Sequence, residues 1–281
     1  MNTTQATATP LTLFDPMVDD AANRLFGKLG PQARLAAVRG EPDESLRTAV
    51  AEAGFCEALG GLDAGDDWPA AAAILRAQAR YGAPVDMADE LLANALAGEP
   101  DDAASADATE GRRQRAFALS RCIQAGGAMQ AALDMSIRFV GDRKQFGQAL
   151  ARFQAIQHSL AITAELIAAA ASATNFALAC VIEEGIDSDR ASAAIDAAVV
   201  VVCDAIRSTH ENCHQVHGAI GFTIEYGLHH HTLDMLRWRD DLEASTGGPM
   251  RCAERLGAAV IAEGGLWLTV TDMQRLAPRA S

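Results

Sequence analysis

The residues with the clearest chemical potential lie around Arg143, in the run Arg-Lys-Gln-Phe-Gly that ends at Gly147. A planar guanidinium binds phosphate at two points and stacks on flat rings, and Phe146 adds an aromatic surface beside it. Gly147 can adopt a positive φ, so it can end one helix and let another begin. The run therefore predicts a turn that presents an arginine to a phosphate or a flat ring. The alternative is a surface arginine at a helix C-terminus beside a phenylalanine in the core.

A second run, His210–His214, matches the H-E-x-x-H pattern of zinc proteases, in which two histidines one turn apart bind metal. Against a zinc site, no downstream glutamate ligand is evident, and His217 stands where the longer form of the motif requires glycine. The run His229–His231 is interpreted as a solvated helix start. We predict no metal site here.

The composition sets limits on the class of protein. The chain has 281 residues, of which 49% are hydrophobic and 5% aromatic, and its net charge is −14. The negative charge argues against nucleic acid or an anionic membrane surface as a partner. Six cysteines without paired spacing indicate buried thiols in a reducing cytoplasm, and neither a signal peptide nor a membrane-spanning segment is predicted.

Helical patterns dominate the chain, and they must position the residues named above. Short helices are predicted after Phe14, from Glu44 to Gly54, from Trp68 to Tyr81 and from Met87 to Leu96. Apolar residues then recur at steps of three, four and seven in longer segments, which predicts helices that pack as an antiparallel four-helix bundle. The predicted longer segments lie near residues 112–140, 149–183, 189–216 and 228–242, with a shorter one near 250–263.

Two segments carry a resemblance to a known family. Arg143–Gly147 followed by Phe153–Gln157 resembles the start of the C-terminal helical domain of acyl-CoA dehydrogenases. Gln215–Tyr226 is similar to the family's Gln-x-x-Gly-Gly-x-Gly-Phe-Thr-x-Glu-Tyr element. Arg80–Val85 more faintly resembles the end of the family's N-terminal helical domain.

The chain departs from the family where a β-domain would follow the N-terminal helices. Residues 98–111 are acidic and small, and no run alternates with period two. The predicted fold is therefore all-α: an N-terminal helical segment and a C-terminal antiparallel four-helix bundle of acyl-CoA dehydrogenase type, without a β-domain. The predicted divisions are residues 12–98, an acidic linker at 99–111, the bundle at 112–263 and a tail at 264–281.

The resemblance implies a shared FAD site. In the family, the bundle of one subunit holds the pyrophosphate and adenosine of a flavin that lies mostly in its neighbour. Arg143 corresponds to the arginine that pairs with the pyrophosphate, and Phe146 to the aromatic residue against the cofactor. Ala219 replaces the second glycine of the family element. The residues that the resemblance assigns to the cofactor are Arg143, Gln145, Phe146, Leu150, Phe153, Gln215, Gly218 and Ala219.

The catalytic base is where the resemblance fails. Family members remove the α-proton of the acyl-CoA with a glutamate at one of two positions, which correspond here to Leu242 and Phe117. Neither is an acid. Glu243 or Asp241 would serve only after a one-residue shift, and adjacent helical residues point about 100° apart. We therefore name no certain catalytic residue, with Glu243 as the alternative base.

The expected function follows from these matches. The chain is interpreted as a cytoplasmic subunit of a heteromeric, α2β2-like acyl-CoA dehydrogenase whose partner supplies the β-domain, most of the acyl-CoA site and the base. Such paired subunits look similar to those of bacterial steroid side-chain degradation, which suggests a bulky CoA thioester. The alternatives are a structural or regulatory scaffold that binds no flavin, and a self-sufficient enzyme with another acid as its base.

Overall fold

The computed structural model describes residues 11–41, 44–97 and 106–262, and these residues are almost entirely helical. The tail at 264–281 and most of the predicted linker lie outside them. Short 3-10 turns occur at Gly65–Asp67, Leu150–Arg152 and Gly218–Phe222. The α-helices are α1 (Pro16–Val38), α2 (Glu44–Glu52), α3 (Trp68–Arg80), α4 (Met87–Leu96), α5 (Ala106–Asp142), α6 (Gln154–Glu184), α7 (Asp189–His217), α8 (Leu228–Thr246) and α9 (Gly248–Ala262).

The first helix corrects the prediction of short helical runs after Phe14. α1 is one helix of 23 residues that continues through Pro31. The Asp15 carboxylate caps its start by accepting from the backbone N–H groups of Met17 and Val18. Burial of residues such as Phe26 along one face holds the helix together in spite of its internal glycines and proline.

Helices α3 and α4 have the bounds that the sequence predicted, within a residue. α3 lies along α5, and the two backbones approach closely at Gly127, where a Cβ atom would collide with the carbonyl oxygen of Arg76. Buried residues of α1, α3 and α4 join those of the longer helices in one hydrophobic cluster, with Trp68 and Trp238 fully buried within it. The N-terminal helices therefore share a core with the bundle.

The longer helices confirm the predicted all-α fold, since α5 to α8 pack against one another and α9 covers α7. α5 begins at Ala106, inside the range predicted as linker, and its first turn precedes the predicted start at residue 112. Gly185 ends α6 with φ 86°, and Ser188 caps α7 by accepting from the N–H of Ala191 at 3.1 Å. Short connections of this kind make successive helices antiparallel neighbours.

The join between α5 and α6 differs from the prediction of a helix beginning at residue 149. Two short antiparallel strands, β1 (Lys144–Gln145) and β2 (Gln148–Ala149), form a hairpin there. A 3-10 turn follows the hairpin, and α6 begins at Gln154.

α6 is long and apolar enough, by length and composition, to be considered as a membrane span, and only 39% of its most apolar window is buried. Core helices of soluble proteins pass the same test, and α6 packs against α5 and α7. The absence of a membrane partner therefore stays a prediction.

Candidate functional site

The hairpin after α5 presents its tip to solvent. Its two-residue loop places both Phe146 (φ 53°) and Gly147 (φ 81°) in the left-handed region, as in a type I′ turn. A side chain in that region costs roughly 1–2 kcal/mol, so phenylalanine is unusual there. The Phe146 ring is 90% exposed, which rules out the alternative of a core phenylalanine. Strain combined with an exposed aromatic ring is more typical of a binding segment than of a structural turn.

The hairpin also fixes the position of Arg143. The N–H of Arg143 donates to the carbonyl oxygen of Phe139 at 2.9 Å, so Arg143 directly follows the last turn of α5 and is bonded to it. Its own carbonyl oxygen accepts from the N–H of Leu150 at 2.8 Å, across the mouth of the hairpin. The backbone of Arg143 is thus held from both sides, while its side chain remains exposed.

A cleft of about 420 Å³ lies between this segment and the end of α7. Gly218 (φ 61°) ends α7 and leads into a 3-10 turn, so the chain bends around one side of the cleft. Six of the eight predicted cofactor residues line it. The lining residues are Phe139, Arg143, Gln145, Leu150, Gln215, Val216, His217, Gly218, Ala219 and Ile220.

The remaining two predicted residues, Phe146 and Phe153, do not line the cleft. Their rings pack edge to face at the hairpin, with centroids 6.1 Å apart. Phe153 is half-buried and packs against the exposed ring of Phe146. Phe146 therefore lies beside the cleft but does not line it.

The polar side chains around the cleft are free to bind a ligand. Arg143, Gln145 and Gln215 are exposed, and none of them makes a side-chain hydrogen bond or ion pair with any residue that the structure describes. Most other arginines in the described ranges are paired with carboxylates, as Arg34 is with Asp234. An unpaired guanidinium beside two unpaired amides can bind an anion that also offers hydrogen-bond donors and acceptors.

The inner wall of the cleft is formed by His217, which was not among the predicted cofactor residues. Its ring stacks on Phe139 at a centroid distance of 4.4 Å. Nδ1 lies 2.7 Å from the Cys213 carbonyl oxygen, which can only accept, so Nδ1 carries the proton. Nε2 then accepts from the hydroxyl of Tyr226 at 3.0 Å. Burial lowers the pKa of His217, which favours this neutral form. The sequence feature that could have identified His217 is its place directly before Gly218 in the Gln215–Tyr226 segment.

The residues of the H-E-x-x-H pattern have other partners. His214 Nε2 lies 2.9 Å from Thr232 Oγ1, and the His214 ring stacks on Phe222 at 4.2 Å. Burial, with His210 and other histidines nearby, lowers the pKa of His214 to about 4. Glu211 is exposed and lies 3.9 Å from Arg207. Within the described parts of the chain, no group of three or more His, Cys, Asp or Glu side chains is arranged to hold a metal ion.

Neither of the two positions that correspond to the family's base holds an acid, and one of them contacts a buried arginine. Leu242 is fully buried, and the Phe117 ring lies under the Arg121 guanidinium at 4.4 Å. Arg121, whose side chain is 3% exposed, donates to both carboxylate oxygens of Asp86 at 2.7 and 3.1 Å. Its Nε lies 2.8 Å from Asp241. This ion-pair cluster joins the start of α4 to α5 and α8.

The cluster changes the chemistry of its members. Burial raises the pKa of Asp86, but the hydrogen bonds and charge of Arg121, together with Arg237, outweigh it and leave that pKa below its usual value. Asp86 is therefore held as an ionised partner of Arg121 and is not poised to accept a proton.

The alternative base, Glu243, lies in a separate cleft of about 590 Å³, which shares none of its lining residues with the first. The Glu243 side chain is exposed and lies against the backbone of Gly248. Arg207, Arg239 and Asp240 line the same cleft. These surroundings match the solvated, charged face that a run of arginine and acidic residues predicts.

Comparisons with known proteins point to the same part of the chain. Residues 114–239 match the protein family described as "Acyl-CoA dehydrogenase, C-terminal domain", and every residue that lines the first cleft falls within this range. The chain is 32% identical over 108 residues to Acyl-CoA dehydrogenase FadE34 of Mycobacterium tuberculosis, and 35% identical over 109 residues to 3-(aryl)acrylate reductase of Clostridium sporogenes. These alignments cover 38% and 37% of this chain but only 15% and 27% of the relatives. The chain thus spans a small part of the curated relatives that it matches.

Solved structures share the fold over most of the chain. A chain of the "Tcur3481-Tcur3483 steroid ACAD G363A variant" has a TM-score of 0.73 at 19% identity, covering 88% of this chain and 97% of that one. A chain of the ChsE4-ChsE5 complex from Mycobacterium tuberculosis has a TM-score of 0.72 at 15% identity, covering 91% of this chain and 100% of that one. Similarity at these identities shows that the helical fold is shared.

Proposed function

We propose, from the premise that residues 114–239 are an acyl-CoA dehydrogenase C-terminal domain, that this chain is one subunit of a heteromeric FAD-dependent acyl-CoA dehydrogenase. It contributes one half of a FAD site, and a partner subunit contributes the other half. The observation that carries the proposal is the cleft in which Arg143, Gln145 and Gln215 surround Gly218 without partners of their own.

The chemistry of these groups fits the pyrophosphate and adenosine half of FAD. The Arg143 guanidinium neutralises a diphosphate charge and donates two parallel hydrogen bonds to its oxygens. Gln145 and Gln215 offer both donors and acceptors to ribose hydroxyls and to the edge of an adenine. Gly218 has no side chain to keep a ligand away from the backbone, while Ala219 and Leu150 supply apolar contacts. Phe146 and Phe153 lie at the hairpin, where they meet the part of the cofactor that leaves the cleft.

The partner is proposed to hold the rest of the reaction. FAD, when bound, would accept a hydride from the β-carbon of a CoA thioester while a carboxylate removes the α-proton. In this chain the two candidate positions for that carboxylate are Leu242 and Phe117, and neither side chain can accept a proton. The base, the β-domain and most of the acyl-CoA site therefore belong to the partner.

The solved neighbours support the class of substrate and assembly. One is titled a steroid ACAD and the other a complex of two named proteins. By analogy with them, we propose that the substrate is a bulky CoA thioester and that the assembly is α2β2-like. We also propose that the complex is cytoplasmic. The divisions at residues 98 and 112 are proposed on the same basis, as the junction where the family's β-domain is absent.

The experiment that tests the proposal compares this chain purified alone with this chain co-expressed with a β-domain subunit. The isolated chain should be colourless, because half a pocket leaves the flavin ring in water. The purified complex should be yellow and contain FAD in a fixed ratio to this chain. Yellow protein with about one FAD per chain in the absence of a partner would contradict the shared site.

The second candidate function is a structural or regulatory scaffold. The buried Arg121 cluster, which joins the N-terminal helices to the bundle, favours it as a purely structural element. A scaffold would form the complex but would leave its FAD content unchanged when Arg143 is replaced. The unpaired side chains around the cleft argue for the cofactor role, since a scaffold has no need of them.

A further inference from the structure

The segment between α7 and α8, residues 218–226, forms one side of the cleft and is held by short-range backbone bonds. Gly218, Ala219 and Ile220 line the cleft and are exposed. The N–H of Thr223 donates to the carbonyl oxygen of Ile220 at 3.1 Å, only three positions away. An exposed segment of this kind opens easily unless side chains hold it to the helices. The shape of this side of the cleft therefore depends on those side chains.

Tyr226 closes the segment onto the end of α7. Its hydroxyl donates to Nε2 of His217 at 3.0 Å, and His217 directly precedes the segment, so the bond joins the two ends of the segment. Between the ends, a Cβ added at Gly221 would lie 3.0 Å from the Cβ of His217. Phe222 also contacts α7 by stacking on His214, but the Phe222 ring is 63% exposed. The hydrogen bond is therefore the directional contact that closes the segment.

His217 provides a fixed acceptor for this hydrogen bond. Its Nδ1 lies 2.7 Å from the carbonyl oxygen of Cys213, which sets the tautomer and leaves Nε2 as the acceptor. Its ring stacks on Phe139, and the Tyr226 ring packs edge to face on the same Phe139 ring at 5.9 Å. Both nitrogens of His217 are thus engaged within the chain. The position of Tyr226 is therefore determined by α5 and α7.

The protonation of the two groups fits this direction of the bond. Burial raises the pKa of Tyr226, and so does Asp142, whereas Arg138 lowers it without reversing the shift. The hydroxyl therefore keeps its proton at neutral pH. Burial lowers the pKa of His217, which keeps Nε2 free of a proton and able to accept.

We propose that Tyr226 is a positioning residue for the cofactor cleft, which it does not itself line. Its hydroxyl acts through His217 to hold residues 218–220 where their backbone meets the ligand. Because this role rests on the proposed FAD function, it deepens that proposal for the same site. A segment that is already closed binds the cofactor more tightly than one that must first be ordered.

The first test uses the full chain without a partner, so it does not depend on FAD. Tyr226→Phe should speed the hydrogen exchange of backbone amides in residues 218–226 about three- to tenfold, the effect of losing one neutral hydrogen bond. The nitrogen-15 signal of His217 Nε2 should also shift, because this atom loses its donor. Tyr81→Phe is the matched control and should change neither signal. It removes the chain's other tyrosine hydroxyl, which has no hydrogen bond with any residue that the structure describes.

The second test measures FAD dissociation from the complex with the partner subunit. Tyr226→Phe should release FAD about three- to tenfold faster, while Tyr81→Phe should match the wild type. His217→Phe keeps a ring against Phe139 but lacks the acceptor, so it should release FAD faster as well. If Tyr226 acts through His217, adding Tyr226→Phe to His217→Phe should cause no further increase. A hydroxyl with a purely structural role would lower the unfolding free energy without changing these dissociation rates.

Unchanged hydrogen exchange, an unchanged His217 signal or unchanged FAD dissociation in Tyr226→Phe would each overturn the proposal. A full additional loss in the double variant would show that Tyr226 does not act through His217. Arg143→Ala separates the positioning role from the FAD function itself. If Arg143→Ala releases FAD faster and Tyr226→Phe does not, only the positioning role is wrong. If neither variant releases FAD faster, or the complex holds no FAD, the proposed FAD site is wrong and the positioning role with it.

Discussion

Two regions of the molecule hold arginines in opposite surroundings. Arg143 at the cleft is exposed and makes no side-chain bond with the residues that the structure describes. Arg121 is buried and contacts Asp86, Asp241 and the ring of Phe117, which stands at one of the two positions that correspond to the family's base. The guanidinium of Arg143 can therefore bind another molecule, whereas that of Arg121 is already paired with carboxylates of the same chain.

The cleft around Arg143 is therefore an open region, whose unpaired groups can bind another molecule, and the Arg121 cluster is a closed region, whose charges are paired within the chain. An exposed cleft needs few changes to remain usable, because its unpaired groups stay hydrated until a ligand arrives. In the closed region, Leu242 packs in the core and the charge of Arg121 is paired within the chain, so neither is open to a ligand.

Three buried histidines on α7 and α8 should make the folded chain sensitive to acid. Burial, with neighbouring charges, lowers the pKa values of His214, His230 and His231 from 6.5 to about 4. The unfolded chain therefore binds more protons than the folded one between about pH 6.5 and pH 4, and stability falls as pH falls through that window. Asp234 has the opposite effect on the pH dependence of stability, because burial raises the pKa of its carboxyl in the folded chain.

The expected loss between pH 7.5 and pH 5 is several kcal/mol, at about 1.4 kcal/mol per pKa unit for each group. Urea unfolding at the two pH values measures it. His231→Gln should flatten the dependence, since this imidazole then no longer resists protonation. An unfolding free energy that is equal at both pH values would show that these histidines are accessible to protons in the folded state.

Removal of Arg121 should be the most damaging single substitution in the closed region. Arg121→Met leaves Asp86 and Asp241 as partly buried carboxylates without their partner, which should cost roughly 3–5 kcal/mol. Arg237→Met is the matched control, because Arg237 contacts the same Asp86 at 3.3 Å but is 57% exposed. That control should cost less than ~1 kcal/mol. Equal losses in urea unfolding for the two variants would mean that burial does not distinguish them.

The open region should show the reverse pattern. Arg143→Ala in the assembled complex should weaken FAD retention about ten- to a hundredfold, the value of a charge-assisted contact of roughly 1.5–3 kcal/mol. Its effect on unfolding should stay below ~1 kcal/mol, because the side chain is exposed. Arg152→Ala, an exposed arginine in the adjacent 3-10 turn that does not line the cleft, is the control. If dilution and gel filtration remove no more FAD from Arg143→Ala than from this control, Arg143 does not hold the pyrophosphate.

The sequence predicted the helices best where capping residues mark their ends. Trp68 with Pro69 starts α3, and Ser188 starts α7, and both bounds were predicted correctly. α1 was missed because its glycines and Pro31 read as breaks, while burial against the rest of the molecule keeps it helical. The hairpin was missed because strands of two residues have no periodicity to detect.

The candidate site was predicted in part for similar reasons. The resemblance led to six of the residues that line the cleft, and five of them fall within two continuous segments, Arg143–Gly147 and Gln215–Tyr226. The Arg121 cluster was not predicted, since Asp86 and Asp241 lie 35 and 120 positions away and only the folded chain brings them together. His217 and Tyr226 were within the motif, but their hydrogen bond depends on how the chain turns after α7.

The smallest expected effect concerns Glu243. Replacement by glutamine should leave turnover of the complex within about twofold of wild type, because loss of a general base typically costs ~10² to 10⁴ in rate and Glu243 is not placed to act as one. Its side chain is exposed, lies against Gly248 and faces a cleft that shares no lining residue with the cleft of Arg143. Asp240→Asn, an exposed acid in the same cleft, is a better control than Asp241→Asn, which would disturb Arg121. The measurement is dye-linked oxidation of an acyl-CoA by the complex, with FAD content determined for each variant. A loss beyond a hundredfold for Glu243→Gln alone, at unchanged FAD content, would make Glu243 the base and would show that the closed region still takes part in catalysis.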